Sequence, residues 1–412
     1  MKKLYTEISK CRIGKDDDLV HIMSLGEQNL TGVFPKTIDE EIGKGPLDLV
    51  WSKKSGLLQL KQTYDLDLMY GENYGYRSGL NKSMVKHLKR KVKFLENIVE
   101  LNSESIVLDI GSNDGTTLNS YNSNCIKIGM DPSAGKFKQY YNPEIKLIED
   151  FFNAKSIKKI IGNNKIDIIS SIAMFYDLED PNYFVSQIEE VLDDEGIWHF
   201  EQSYMPSMLR TCSYDTLCHE HLEFYSLKVV KDLLEKNNLK IIDVSLNDIN
   251  GGSFAVSAAK IDSSHKENNA IINLLLKEED ELKLSTIEPY EKFRIESEKH
   301  RIKLKDFLFD LKNNGKKVFG YGASTKGNVL LQYCGIDSDL IPYIAEVNQD
   351  KFGSFTPGTK IPIISEAEAK KMKPDYFLVL PWHFKNMILE KEKELLDKGV
   401  KFIFPLPYIQ VV

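Results

Sequence analysis

Between Ser105 and Tyr204 the chain repeats one pattern: a short apolar run, a turn, then a stretch with helical spacing. The runs are SIVLDIGSND (Ser105 to Asp114), CIKIGMDPS (Cys125 to Ser133), KIDIISSIAMFYDL (Lys165 to Leu178) and GIWHFEQSY (Gly196 to Tyr204). Unbroken apolar runs suit strands covered on both faces, and strands alternating with helices predict a parallel sheet. The pattern restarts at KKVFGYGASTKGNVLLQYCG (Lys316 to Gly335) and continues through DLIPYIAEVNQDK, YFLVLPW and KFIFPLP, which predicts a smaller α/β layer. Upstream, PLDLVWSKKSGLLQL (Pro46 to Leu60) predicts two short strands joined by a Lys-Lys-Ser-Gly turn. A glycine- and tyrosine-rich loop follows at Tyr70 to Ser83, and a long helix from about residue 81 to 97. GGSFAVSAA predicts a strand, and the charged segment from about 268 to 314 one long helix. The chain thus divides into an N-terminal lobe (1–80), a central α/β unit (81–260) and a C-terminal α/β unit (261–412).

A length of 412 residues agrees with several cores rather than one. With 42% apolar and 28% charged residues, the composition is that of an ordinary globular protein. No apolar run approaches the roughly 18 residues of a membrane span, and MKKLYTEISKCRIGKDDD lacks the apolar core of a secretory signal. Neither a membrane nor a nucleic acid is an expected partner, since the net charge is −7 and the basic run KHLKRKVKF reads as one solvated helix face. The five cysteines (11, 125, 212, 218, 334) form no CxxC pair and read as free thiols of a cytoplasmic protein.

Two stretches carry chemistry. VLDIGSNDGTTL (Val107 to Leu118) sets Asp109, Gly111, Asn113 and Gly115 at the carboxyl end of a strand, where open α/β sheets bind ligands. Its G-x-x-x-G spacing is neither the dinucleotide fingerprint nor a phosphate loop. Asp131 follows about 20 residues later, where an acid can accept both hydroxyls of a ribose. EDFF (Glu149 to Phe152) adds an acid and an aromatic, Phe151, for an adenine edge and face. The second stretch, YDTLCHEHLEFYS (Tyr214 to Ser226), packs His219, Glu220 and His221 together. It reads as an acid–base cluster, with or without a divalent cation held by Glu201, His219, Glu220 and His221.

VLDIGSNDGTTL with GMDPS resembles the first two motifs of class I S-adenosylmethionine (SAM) methyltransferases. The whole chain resembles the three-domain sugar C-methyltransferases, through PLDLV…SGLLQL, YGYRSGLNKSM, YDTLCHEHLEFYSL, NGGSF and GYGASTKGNVLLQYCG. The resemblance implies SAM as cofactor, a central class I SAM-methyltransferase Rossmann-like sheet, a β-rich N-terminal lobe and a C-terminal unit that helps bind a nucleotide-linked sugar. It implies His221 as the base, with Glu220 orienting or holding substrate and Tyr74 and Tyr76 in a lid over the sugar. Asn250 and Ser253 (in NGGSF), Tyr321, Lys326, His383 and Glu201 are then candidates for substrate contacts, with Lys326 near a pyrophosphate.

The chain also departs from that family. The family's N-terminal zinc is held by two CxxC pairs; here Cys11 is accompanied by Gly14, Ser52 and Ser55, so no structural zinc is expected. Cys218 replaces the tyrosine of the Tyr-His-Glu-His motif, and Ala173 stands where an asparagine is usual. Both lost groups are hydrogen-bond donors for an enolate oxygen, and their loss tilts the expected acceptor from a carbon beside a ketone to a sugar hydroxyl. A product of either kind would serve a surface polysaccharide or other glycan. A non-catalytic sugar-binding module is disfavoured by the intact His-Glu-His, and a nicotinamide enzyme by the glycine spacing.

Overall fold

The computed structural model describes residues 4–65 and 76–412. Its central sheet has seven strands, in the spatial order Leu239–Asn247, Ser253–Lys260, Leu192–Ser203, Ile166–Ile172, Ile106–Ile110, Ile126–Met130, Lys146–Ile148. Only Ser253–Lys260 runs against its neighbours. All five residues of Ile106–Ile110 are buried, which is why this run shows no polar alternation. From this strand the chain steps to Ile126–Met130 on one side and later to Ile166–Ile172 on the other. The reversal opens a crevice at the carboxyl ends of the strands.

The helix Lys82–Ile98 covers this sheet with Met84, His87, Leu88, Val92 and Leu95, and Asn81 caps it by accepting from the Ser83 and Met84 amides. The segment read as one long helix is two, Asn269–Glu281 and Glu288–Asn313. Lys283 takes a left-handed φ of 57° between them, and Pro289 in the next first turn cannot continue the earlier hydrogen-bond ladder.

The N-terminal lobe contains a sheet ordered Glu223–Phe224, Leu58–Leu60, Lys44–Ser52, Leu19–Asn29, with Trp51 opposite Leu58 across the expected turn. Its outermost strand comes from the central unit, immediately after the His-Glu-His turn. Three of the four positions at which the resemblance places zinc ligands still converge, and the fourth, Ser52, accepts from the Ser55 amide at 3.3 Å. Ser55 Oγ lies 3.1 Å from Cys11 Sγ, Gln59 Nε2 donates to that sulfur at 3.2 Å, and a Cβ on Gly14 would lie 3.5 Å from that of Ser55. One thiol and neutral hydrogen bonds occupy a place that needs four metal ligands. Arg12 supplies cross-links instead: its guanidinium donates to Leu60 O (2.6 Å), Gln62 O (3.1 Å) and Thr63 Oγ1 (2.8 Å) and faces Glu223 at 3.5 Å.

The C-terminal sheet runs Ile363–Ser365, Ile344–Glu346, Val318–Tyr321, Tyr376–Val379, Lys401–Phe404, Gln410–Val411, parallel except for the last strand. Its helix Thr325–Cys334 locks onto the N-terminal lobe, where Asn328 Nδ2 donates to Thr31 O at 2.8 Å. No helix among the described residues is long and apolar enough to cross a membrane.

Candidate active site

Two cavities meet over the carboxyl ends of the central strands. One, of about 440 Å³, is lined by Gly111, Met130, Asp131, Phe151, Phe152 and Met174 among others. The other, of about 300 Å³, lies where the three units meet and includes Asp109, Gln202, His221, Asn250, Lys326 and His383. Tyr76, Ser78, Gly111, Asn113, Ile172, Ala173 and Asp177 line both. A ligand in the first cavity is therefore neighbour to a ligand in the second.

The first cavity has the chemistry of an adenosine site. Met130, Met174 and the two phenylalanines give it apolar wall, and Asp131 adds a carboxylate. That carboxylate is oriented by protein donors: the Asn113 amide (2.8 Å) to Oδ2, and the Ser133 amide and hydroxyl (both 2.6 Å) to Oδ1. Gly111 needs its freedom: φ is 71°, and a Cβ would sit 3.2 Å from Met174. The Asn113 side chain is engaged elsewhere, accepting from the Ser78 amide (2.9 Å) and donating to Tyr76 O (3.0 Å), so it tethers this segment to the glycine turn. Gly115 lines neither cavity; a Cβ there would strike Tyr141 at 2.7 Å, so its role is packing. Asp109 is buried, accepts from Ser170 Oγ at 2.5 Å and lines the second cavity. Burial outweighs its hydroxyl donors and raises its carboxyl to about 7.

The His-Glu-His stretch is a turn rather than a helix, and all three units hold it. On entry, Tyr214 OH bonds His300 Nδ1 (2.9 Å) and Trp382 Nε1 donates to Asp215 Oδ2 (2.8 Å), both from the C-terminal unit. On exit, the Leu222 and Glu223 amides donate to Tyr176 O (2.8 and 3.1 Å), and Leu222 O accepts from the Leu60 amide of the N-terminal sheet (2.8 Å). Within the turn, His221 Nδ1 lies 2.9 Å from Thr216 O. A carbonyl only accepts, so Nδ1 carries the proton and Nε2 keeps its lone pair. Burial first, and the charge of Lys326 second, lower this imidazole to about 3, so it is neutral throughout the physiological range. Glu220 lines the same cavity, and burial raises its pKa. It fits because residue 32 is glycine; a Cβ there would lie 2.5 Å from Glu220 Oε1.

The structure does not bring the rest of the candidate set together. His219 lines neither cavity. Its ring stands edge-on to Tyr64 at 4.6 Å, and its Nδ1 takes the Thr31 amide at 3.4 Å. Adjacent residues of a tight turn diverge, and here one enters the N-terminal lobe while the next faces the cavity. Glu201 lines the second cavity, but protein groups use both of its oxygens: His87 Nε2 (2.6 Å) on one, Lys91 Nζ and Asn247 Nδ2 (2.8 Å each) on the other. Glu201, His219, Glu220 and His221 thus form no chelate, and no cluster of metal-ligating side chains occurs among the described residues. Tyr321 lies in the C-terminal core, its hydroxyl on Glu392 at 2.8 Å. Tyr74 falls outside the described residues, whereas Tyr76, Asn250, Ser253, Lys326 and His383 all line the second cavity.

Sequence reasoning missed Gln202. Both heteroatoms of its amide are buried in the second cavity without a partner, as are Glu220 Oε2 and His383 Nδ1. Buried polar atoms left unsatisfied around one cavity indicate a polar ligand. Its position directly after Glu201 at a strand end was the available signal. His87 and Lys91, which pair with Glu201, gave none, because helical spacing alone reads as a solvated or packed face.

Residues 80–244 match a family described as a methyltransferase domain, residues 248–407 one described as a C-methyltransferase C-terminal domain and residues 11–70 one described as a 'putative zinc binding domain'. The chain is 27% identical over 416 positions to the C-methyltransferase NovU of Streptomyces niveus, spanning 100% of this chain and 99% of that one. Among solved structures, the magnesium protoporphyrin IX methyltransferase ChlM of Synechocystis PCC 6803, with bound SAM, covers 43% of this chain and 79% of its own at 14% identity and a TM-score of 0.32. The N-methyltransferase NodS of Bradyrhizobium japonicum WM9 covers 44% and 98% at 12% identity and a TM-score of 0.32.

Proposed function

Because the chain is a SAM-dependent methyltransferase, we propose that its acceptor is a carbon beside the carbonyl of a keto-deoxysugar carried on a nucleoside diphosphate. The observation that carries this reading is the second cavity: polar atoms without partners surround a neutral imidazole whose Nε2 is free to take a proton. The match of residues 248–407 to a C-methyltransferase domain supports carbon over oxygen. A sugar hydroxyl is the second reading, favoured by Cys218 and Ala173, which put a thiol and a methyl where the family has a phenol and an amide. Ala173 holds a left-handed φ of 56°, a conformation that asparagine adopts more readily. The product would feed a surface glycan or a glycosylated metabolite.

The cofactor supplies an electrophilic methyl on a sulfonium. Asp131 would hold its ribose, Phe151 and Met174 its adenine, and Asp109 the ammonium of its amino-acid end. Methyl transfer itself asks mainly for alignment, which the shared cavity wall provides. A panel of GDP-, dTDP- and UDP-sugars, with and without a keto group, tests the acceptor. A carbon-bound methyl on a keto sugar is the expected product by mass spectrometry and NMR; methoxy products alone, or no transfer to any sugar nucleotide, would overturn the reading.

Asp109 gives a separate expectation. Its carboxyl is neutral below about 7 in the free protein, and a cationic ligand favours the ionised form. SAM affinity should therefore rise about tenfold per pH unit up to pH ~6.5, with proton release, and level off above pH ~7. Calorimetry in buffers of different ionisation enthalpy reads this directly. Asp109→Asn should flatten the profile; a flat profile in the unmodified protein would remove Asp109 from the cofactor contacts.

A further inference from the structure

We infer that Lys326 is a catalytic residue: from the C-terminal unit it delivers an ammonium to the acceptor's carbonyl oxygen and stabilises the oxyanion that forms when His221 removes the adjacent carbon-bound proton. The inference rests on the carbon-acceptor reading and supplies what that reading lacks. Proton abstraction beside a ketone needs a donor aimed at the oxygen. Neither Cys218, a weak donor, nor Ala173 provides one.

Lys326 is placed for that task by three features. It lies in the first turn of the helix Thr325–Cys334, which Ser324 caps by accepting from the Gly327 amide, so its position is set by a short, rigid connection from the end of the strand Val318–Tyr321. Its side chain lines the cavity that also contains His221, Glu220 and His383. Its Nζ donates to one protein acceptor among the described residues, Asn250 O at 2.8 Å. An ammonium has three hydrogens, so two remain for a ligand. Asn250 can present its carbonyl because it sits at a left-handed φ of 55°, followed by Gly251 and Gly252 at 91° and 122°. The NGG turn thus acts as a rest for the lysine. Burial works against the charge on Lys326, and Asp215, whose carboxyl accepts from Trp382, works in its favour.

The chemistry is self-consistent. The charge of Lys326 helps keep His221 unprotonated before reaction. When His221 Nε2 takes the proton, the C–H electron pair becomes the enolate C=C and the carbonyl π pair moves to oxygen, where Lys326 Nζ–H donates. The new negative charge offsets the lysine's field at His221, so the imidazole becomes a better proton holder as the transfer proceeds. No further reactant is consumed in this step.

The test separates proton abstraction from methyl transfer. A nucleoside-diphosphate 4-keto-6-deoxysugar is incubated with the enzyme and S-adenosylhomocysteine in D2O, and deuterium entry at the carbon beside the ketone is followed by NMR. Unmodified enzyme should catalyse the exchange. Lys326→Met should slow both exchange and kcat by about 10²–10³-fold, with sugar-nucleotide KM within about threefold and SAM binding and melting temperature retained. Lys326→Arg should recover most of the rate. If the methionine variant does not fold, Lys326→Gln takes its place in the same comparison. Unchanged exchange in the variant would overturn the inference, as would a raised KM with unchanged kcat, which would make Lys326 a phosphate contact. Absence of exchange in unmodified enzyme that methylates a hydroxyl would instead overturn the carbon-acceptor reading.

Discussion

Replacing His221 with alanine is expected to lower kcat by about 10²–10⁴-fold while SAM affinity stays within about twofold. The large effect follows from the tautomer. Nδ1–H is committed to Thr216 O, and the Tyr176 ring stands against the imidazole at 4.4 Å, so a basic Nε2 is held in one orientation. No other described histidine has its proton placed this way in the second cavity: His383 lines it from the C-terminal unit with Nδ1 unpartnered, and His219 lies outside. The separation from SAM binding follows from the two cavities, since His221 is absent from the first, whose lining includes Asp131, Phe151 and Met174. The pH dependence has a definite sign. With His221 as the proposed base, the neutral imidazole is the active form, and protonation waits until about pH 3. With SAM saturating, kcat/KM for the acceptor should stay level from pH 8 to about pH 5, without the inflection near 6.5 of an unperturbed histidine. Retained turnover in His221→Ala, or an acid limb near pH 6.5 that disappears in that variant, would contradict this assignment.

Glu201→Ala should cost about 3–5 kcal/mol of stability, the largest loss expected from any single acidic residue of the site. Burial alone would push this carboxyl upward, but the His87 hydrogen bond and the Lys91 charge prevail and hold it at about 2. Its contribution is therefore fully present above about pH 4.5 and is lost as the pH falls toward 2. Removing it strands His87, Lys91 and Asn247 in a largely buried place, and releases the helix Lys82–Ile98 from the end of the strand Leu192–Ser203. Chemical denaturation of the variant, followed by circular dichroism, measures the loss. A change below about 1 kcal/mol would show that these pairs behave like surface ion pairs. Glu201→Gln should recover part of the stability, because it retains an acceptor for one partner.

Much of the central unit is visible in local pattern. A strand covered on both faces must be apolar throughout, and a strand that ends at a ligand needs glycine there, so Val107 to Gly115 and Asp131 stand out without a structure. The helix at residues 82–98 follows from Asn81 and the spacing of its buried positions. The break at Lys283 was hidden because a charged helix reads alike on either side of a short left-handed step. Side-chain direction was not readable either. Spacing alone does not tell His219 from His221, and it was the resemblance that selected His221; the turn sends the first against Tyr64 and the second to the cavity where the three units meet. Glu201 was singled out and Gln202 was not, yet Gln202 is the unpartnered one and Glu201 is consumed by His87 and Lys91. These outcomes depend on partners more than 100 positions away in the chain for Glu201, and on a lobe and a C-terminal unit that close around one turn. The sequence by itself determined most strands and helices of the central unit and where its glycine turn lies, because those follow from neighbours within a few residues. Only the tertiary structure decided which polar side chains remain free to meet a substrate, because that is a balance of distant hydrogen bonds and charges that no local pattern encodes.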